Sequence, residues 1–286
     1  MNKILYDLSG KIEPSAIHVL LKITEITERL HLDFILVGAT ARDILIEHLH
    51  NIKAPRMTKD IDIAVCVASW KEYDTLADAL LADGKFLKHA QKQRFVFEDT
   101  FIDIIPFGDI SGRNNRISWP PEHETVLSTI GFVDVFNNSI TVRLNRDPVL
   151  DILVPTIPGL AVMKLLAWNG GYPDRQKDAE DLFFIMRSYQ NAGIEDRLYG
   201  QEAILLEEEG FDNERAGIRL LGRDMAKISN RETADEIKRI LDLETGLNSK
   251  YRLVQQMRDN IHDADFILFI LEKLKQGFSE GPGSSK

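Results

Sequence analysis

Leu36-Val37-Gly38-Ala39-Thr40-Ala41-Arg42-Asp43 and, further on, Thr58-Lys59-Asp60-Ile61-Asp62-Ile63-Ala64-Val65 are the two phrases whose reading decides the fold. The apolar run Phe34-Ile35-Leu36-Val37 predicts a strand, and Gly38 breaks it. Ala41, Leu45 and Leu49 recur four apart, which predicts a helix over 41–49. Gly38 then sits where a strand ends and a helix begins. Backbone N–H groups at a helix start are unpaired and attract phosphate. The second phrase predicts another strand, with Asp60 and Asp62 two residues apart. Period two places both carboxylates on one face, while Ile61, Ile63 and Val65 turn to the other.

Two carboxylates on one face of a strand repel unless a cation lies between them. Hard oxygen donors of this kind suit Mg²⁺ (or Mn²⁺), which binds through one or two carboxylates together with substrate phosphates. A phosphate cradle followed by an Asp-x-Asp strand predicts a metal-dependent nucleotidyl-transfer site. The pattern resembles the nucleotidyltransferase superfamily, which carries a glycine, a second small residue and an arginine before Asp-x-Asp on the next strand. Here these are Gly38-Ala39-Thr40-Ala41-Arg42 and Asp60-Ile61-Asp62. Ala39 stands where the family has Gly or Ser, so a hydroxyl contact is missing there and Thr40 is the candidate to replace it. Each motif alone is common; their order on strand, helix and acidic strand is specific.

The chain has 286 residues, enough for one large domain or two modest ones. Its composition, 44% hydrophobic and 28% charged, is that of a globular protein. A net charge of −10 argues against a general nucleic-acid footprint and leaves only a local basic groove. The loops with Lys53, Arg56 and Lys59 and with Arg113 and Arg116 are the candidates for one. A single cysteine, Cys66, excludes an internal disulfide and fits a reducing cytoplasm. Neither a signal peptide nor a membrane span is visible, so no membrane partner is expected.

Helices are predicted over 13–31 and 69–82, and strands over 86–88, 94–97 and 101–107. Asp103 is a lone acid between isoleucines, which is expensive in a buried strand unless paired or metal-bound. The stretch Ser111–Pro121 reads as a loop. Gly131–Val135 and Ser139–Leu144 read as a hairpin turned at Asn137-Asn138, and Leu150–Val154 as one more strand. From Thr156 the pattern becomes helical. Lys164 is the sole charge in 156–168, and Asp178 falls on the apolar stripe of the next helix, 173–189, with Asp181 beside it. Further helices are predicted over 195–209, 213–228, 232–243 and 247–275, with a Gly/Ser-rich tail over 277–286.

Lys164 followed by Lys177-Asp178-Ala179-Glu180-Asp181-Leu182 is similar to the AbiEii-type nucleotidyltransferases, the toxins of type IV toxin–antitoxin systems. The likeness covers roughly 30–190. It implies an α+β fold, with a mixed sheet flanked by helices over 1–155, a helical domain over 156–276 and an active-site cleft between the two. It implies that Asp60, Asp62 and Asp103 bind metal and act in catalysis. Gly38, Ala39, Thr40 and Arg42 would bind nucleotide, Lys164 the triphosphate, and Asp178 would orient Lys164 or the nucleotide. The reaction implied is transfer of NMP from an NTP to an acceptor hydroxyl, with release of pyrophosphate. The acceptor stays open among tRNA, a protein and a small molecule, and a cognate antitoxin joins the list of partners. A catalytically inactive nucleotide- or partner-binding module and an antibiotic adenylyltransferase are the alternatives.

Overall fold

The computed structural model describes residues 5–56, 58–123, 126–259 and 261–281. The chain divides into two compact units: residues 1–49 with 56–156, and residues 50–55 with 157–286. The segment His50–Pro55, placed in sequence within the first unit, thus groups with the second.

In the first unit β1 (Leu5–Asp7) leads to α1 (Pro14–Leu30), which opens on Pro14 and buries Val19, Leu20, Ile23 and Ile26 along one face. Then come β2 (Phe34–Val37) and the short α2 (Gly38–Arg42), which runs on as a π-helical stretch, Asp43–His48. β3 (Ile61–Cys66) precedes α3 (Trp70–Ala82), whose N-cap Ser69 accepts from the Glu72 N–H. β4 (Phe86–Lys88), β5 (Arg94–Phe97) and β6 (Thr100–Phe107) follow. These strands form a mixed sheet in the order β2-β3-β6-β5-β4, with β3 and β6 parallel and the other neighbours antiparallel. Ile61, Ile63, Ala64 and Val65 of β3, an interior strand, are buried, as apolar positions of a covered sheet must be.

The remainder of this unit departs from the expected pattern in two places. The stretch read as a loop contains β7 (Arg116–Ser118), paired antiparallel with β8 (Val126–Ser128). Gly131–Val135 is not a strand: α4 (Phe132–Asn137) forms there. Helical spacing sets Phe132 and Phe136 four apart, and both rings pack on Phe107, at 5.8 and 5.5 Å between centroids. The hairpin lies one step later, between β9 (Ile140–Arg146) and β10 (Val149–Val154), with β1 parallel to β9 in the same small sheet.

The second unit is helical: α5 (Ile157–Gly171), α6 (Gln176–Ser188), α7 (Glu195–Tyr199), α8 (Ala203–Glu208), α9 (Asn213–Ile228), α10 (Arg231–Thr245), α11 (Arg252–Gln256) and α12 (Ala264–Glu280). Two of the long helices expected are broken. The first divides around Gly200, and the last divides before Asp263, whose carboxylate caps α12 at the Phe266 N–H. Of the tail expected from Gly277, residues 277–280 belong to α12, with Gly277 and Phe278 buried. Residues 282–286 of that tail lie outside the described residues. Among the described residues no helix is long and apolar enough to cross a membrane.

Candidate active site

The site in the first unit is assembled by strand register. Val37 of β2 lies opposite Asp62 of β3, Asp62 opposite Asp103 of β6, and Asp103 opposite Arg94 of β5. Residues in one such row face the same side of the sheet. Two carboxylates and a guanidinium therefore share a face, and the row ends at Val37, whose next residue is Gly38.

Gly38 adopts φ +70°, and a Cβ built on it would overlap Asp62 Oδ2 and lie 2.9 Å from Asp62 Cβ. A glycine is therefore required twice, for its backbone and for the space that Asp62 occupies. The helix that starts here has Val37 as its N-cap, which offers no side-chain acceptor. Ala39 is buried behind it. The Thr40 hydroxyl donates to the Asp60 carbonyl at 2.9 Å, which ties α2 to the start of β3.

Arg42, expected to bind nucleotide, lies inside the protein. Its side chain is fully buried, Nε and Nη2 donate to Asp43 Oδ1 at 2.8 and 2.5 Å, and Nη2 also donates to the Arg56 carbonyl at 2.7 Å. It ties down the segment that leads into β3. The basic loop is likewise divided, with Lys53 in one unit and Arg56 and Lys59 in the other.

Asp103, expected as a third metal donor, has both oxygens on Arg94: Nε–H to Oδ1 and Nη2–H to Oδ2, each 2.7 Å. The guanidinium also lies 5.0 Å from the Phe101 ring centroid. The Asp103 hydrogen bonds, and the fields of Asp103, Asp60 and Asp62, hold Arg94 above its ordinary pKa against partial desolvation. All three carboxylates therefore act on one guanidinium. Among the described residues no three His, Cys, Asp or Glu side chains are grouped closely enough to hold a metal ion. Asp62 lies against Gly38 and Asp60 stands just before the first residue of β3; a three-carboxylate arrangement is not assembled among the described residues.

Lys164 and Asp178 belong to the second unit. Lys164 is buried in α5, and its Nζ lies 2.9 Å from Asp178 Oδ1 and 2.7 Å from Asp181 Oδ2, both on α6. Arg175 Nε meets Asp178 Oδ2 at 2.6 Å. The expected Lys164–Asp178 pairing is present, and Asp181 completes it as a triad.

Sequence reading missed Arg94 and the part played by Asp181. A signal for Arg94 existed. The turn at Glu98-Asp99 pairs Phe97 with Thr100, and counting outward brings Arg94 opposite Asp103. Asp181 carried a weaker signal, because i, i+3 spacing put it beside Asp178 without saying which helix they face.

The family model described as "Nucleotidyl transferase AbiEii toxin, Type IV TA system" matches residues 20–266. A comparison with curated proteins returns no match. Among solved structures, the antibiotic-resistance factor ANT(2'')-Ia is 11% identical, with 70% of this chain and 99% of that one covered at a TM-score of 0.35. JHP933 from Helicobacter pylori is 12% identical, with 94% of each chain covered and a TM-score of 0.33. The Thermotoga maritima CCA-adding enzyme complexed with tRNA is 12% identical, with 96% and 83% covered and a TM-score of 0.28. Superpositions this loose add no argument about chemistry.

Proposed function

The chain belongs to the AbiEii nucleotidyltransferase family, and from that premise we propose that it moves an NMP from an NTP to an acceptor hydroxyl, with release of pyrophosphate, using a divalent ion bound by Asp60 and Asp62. The observation that carries this reading is the approach of Asp62 to Gly38. A Cβ at residue 38 would fall on the Asp62 carboxylate, so the acidic strand and the helix start converge on one point. A phosphate bound at the backbone of Gly38, Ala39 and Thr40 would meet the carboxylate-held cation there.

Each residue has a distinct task. Asp60 and Asp62 bind and orient. Thr40 holds the Asp60 backbone at 2.9 Å, which fixes the start of the acidic strand relative to the cradle. Arg42 anchors the Arg56 carbonyl at 2.7 Å and so fixes the approach to that strand. The ion, when bound, supplies charge stabilisation for the attacking and departing oxygens of the displacement. Mg²⁺ is the proposed ion and Mn²⁺ its substitute, both hard cations that suit carboxylate and phosphate oxygens.

The family description names a toxin, and the proposed setting is therefore a cytoplasmic one with a cognate antitoxin as partner. The acceptor is left to experiment. Purified protein incubated with each α-labelled NTP, Mg²⁺, total RNA and cell lysate is expected to place label in RNA, protein or a small molecule, and the fraction labelled names the acceptor. Asp62→Asn should remove that label while circular dichroism stays unchanged. Label of equal intensity from wild type and Asp62→Asn would refute the proposal.

A further inference from the structure

The row across the sheet raises a question that the two-carboxylate site does not answer: what Arg94 does there. Resting on the transferase reading above, we infer that Arg94, pinned by Asp103, is a side chain that grips the phosphates of the nucleotide, and that Asp103 is a positioning residue and not a metal ligand.

Four observations support this. Both Asp103 oxygens are engaged by Arg94 in a fork at 2.7 Å, the geometry in which a carboxylate best orients a guanidinium. A divalent ion on Asp103 would sit against that guanidinium, and like charges at such spacing repel strongly where water is partly excluded. Second, Asp103 uses only Nε and one Nη2 N–H, so the Nη1 donors remain directed elsewhere, and the side chain is 22% exposed. Third, the register places Arg94 on the same sheet face as Asp62, in the row that ends beside Gly38. Fourth, Phe101 lies against the guanidinium at 5.0 Å, so the orientation is held from a second side. Arginine suits the task because its planar fork matches phosphate oxygens.

The test uses the full chain, Mn²⁺ as the spectroscopic probe and non-hydrolysable α,β-methylene analogues of the four NTPs. Electron paramagnetic resonance counts bound Mn²⁺ and calorimetry measures nucleotide affinity. For wild type with its preferred analogue, one Mn²⁺ held by the protein is expected. Asp103→Asn should keep that ion with little change in affinity and weaken the nucleotide about tenfold, because Arg94 loses its anchor. Arg94→Gln should weaken the nucleotide roughly tenfold to a hundredfold, the size expected for a lost charge-assisted hydrogen bond, again with the ion retained. Arg94→Lys, which keeps the charge and loses the planar fork, should recover only part of the loss. Because Arg94→Gln leaves a carboxylate unpaired, the double variant Arg94→Gln/Asp103→Asn serves as its folded counterpart and should match it in nucleotide affinity. Loss of an ion in Asp103→Asn, or wild-type nucleotide affinity in the double variant, overturns the inference and leaves the transferase reading in place. If Asp62→Asn binds Mn²⁺ as wild type does, or no analogue binds at all, the transferase reading falls and the inference falls with it.

Discussion

Gly38 and Asp62 show how little room the site has. Alanine at 38 would combine a left-handed backbone with a Cβ 2.7 Å from Asp62 Cγ. The backbone component costs about 1–2 kcal/mol, and the overlap must be relieved by moving the carboxylate. Gly38→Ala is therefore expected to lower stability by roughly 1–3 kcal/mol and to abolish labelling of the acceptor. Chemical denaturation and the labelling assay read the two effects separately. A folded, fully active Gly38→Ala protein would mean that Asp62 has another rotamer available for its task. Arg42 is the opposite case. In sequence it has the position of a nucleotide-binding arginine, and in space it is inside the protein on Asp43 and Arg56. One-dimensional spacing gives a side chain its position along the helix, but whether a solvent-filled space or the next loop lies over it depends on residues that arrive later in the chain.

Pairs of helices set the energetics of the second unit. Lys164, Asp178 and Asp181 are side chains of low exposure, at 8%, 7% and 0%, so their charges depend on their ion-pair partners, Arg175 among them, more than on water. Removing the lysine leaves two carboxylates without it in a poorly solvated place. Lys164→Met is accordingly expected to destabilise the protein by roughly 3–5 kcal/mol, well beyond the loss of a surface ion pair. The triple variant with Asp178→Asn and Asp181→Asn should regain much of that. Urea unfolding measures both; a neutral Lys164→Met would show that the triad contributes nothing to the packing of α5 on α6. Helices α9 and α12 approach closely. A Cβ on Gly277 would overlap the Arg219 carbonyl oxygen, and one on Gly222 would overlap that of Leu274. Backbone cannot yield there as a side chain can, so Gly277→Ala should lower stability by about 1–3 kcal/mol. Composition alone made Gly277 look like the start of a tail, because glycine reads as a breaker until a partner helix is seen against it.

For the molecule as a whole, a net charge of −10 sets the terms on which a polyanion can approach. Arg113 is exposed on the 3-10 helix Asp109–Asn114 that follows β6, and Arg116 at the start of β7. If RNA proves to be the labelled fraction, Arg113→Glu/Arg116→Glu should weaken its binding and lower the salt slope by about one unit for each phosphate no longer neutralised, while NTP binding persists. A salt slope equal to wild type would place the RNA elsewhere. The sequence by itself determined the strand–glycine–helix turn, the Asp-x-Asp strand, the family, and the change from a mixed sheet to helices near Thr156. All of these rest on local periodicity and on motifs within a few residues. Tertiary structure alone decided that Arg42 is interior, that the helix Phe132–Asn137 replaces the strand expected over Gly131–Val135, and that His50–Pro55 groups with the second unit. Each depends on which distant segment supplies the neighbouring charge or ring, and the pairing of strands and helices, not the local code, makes that choice.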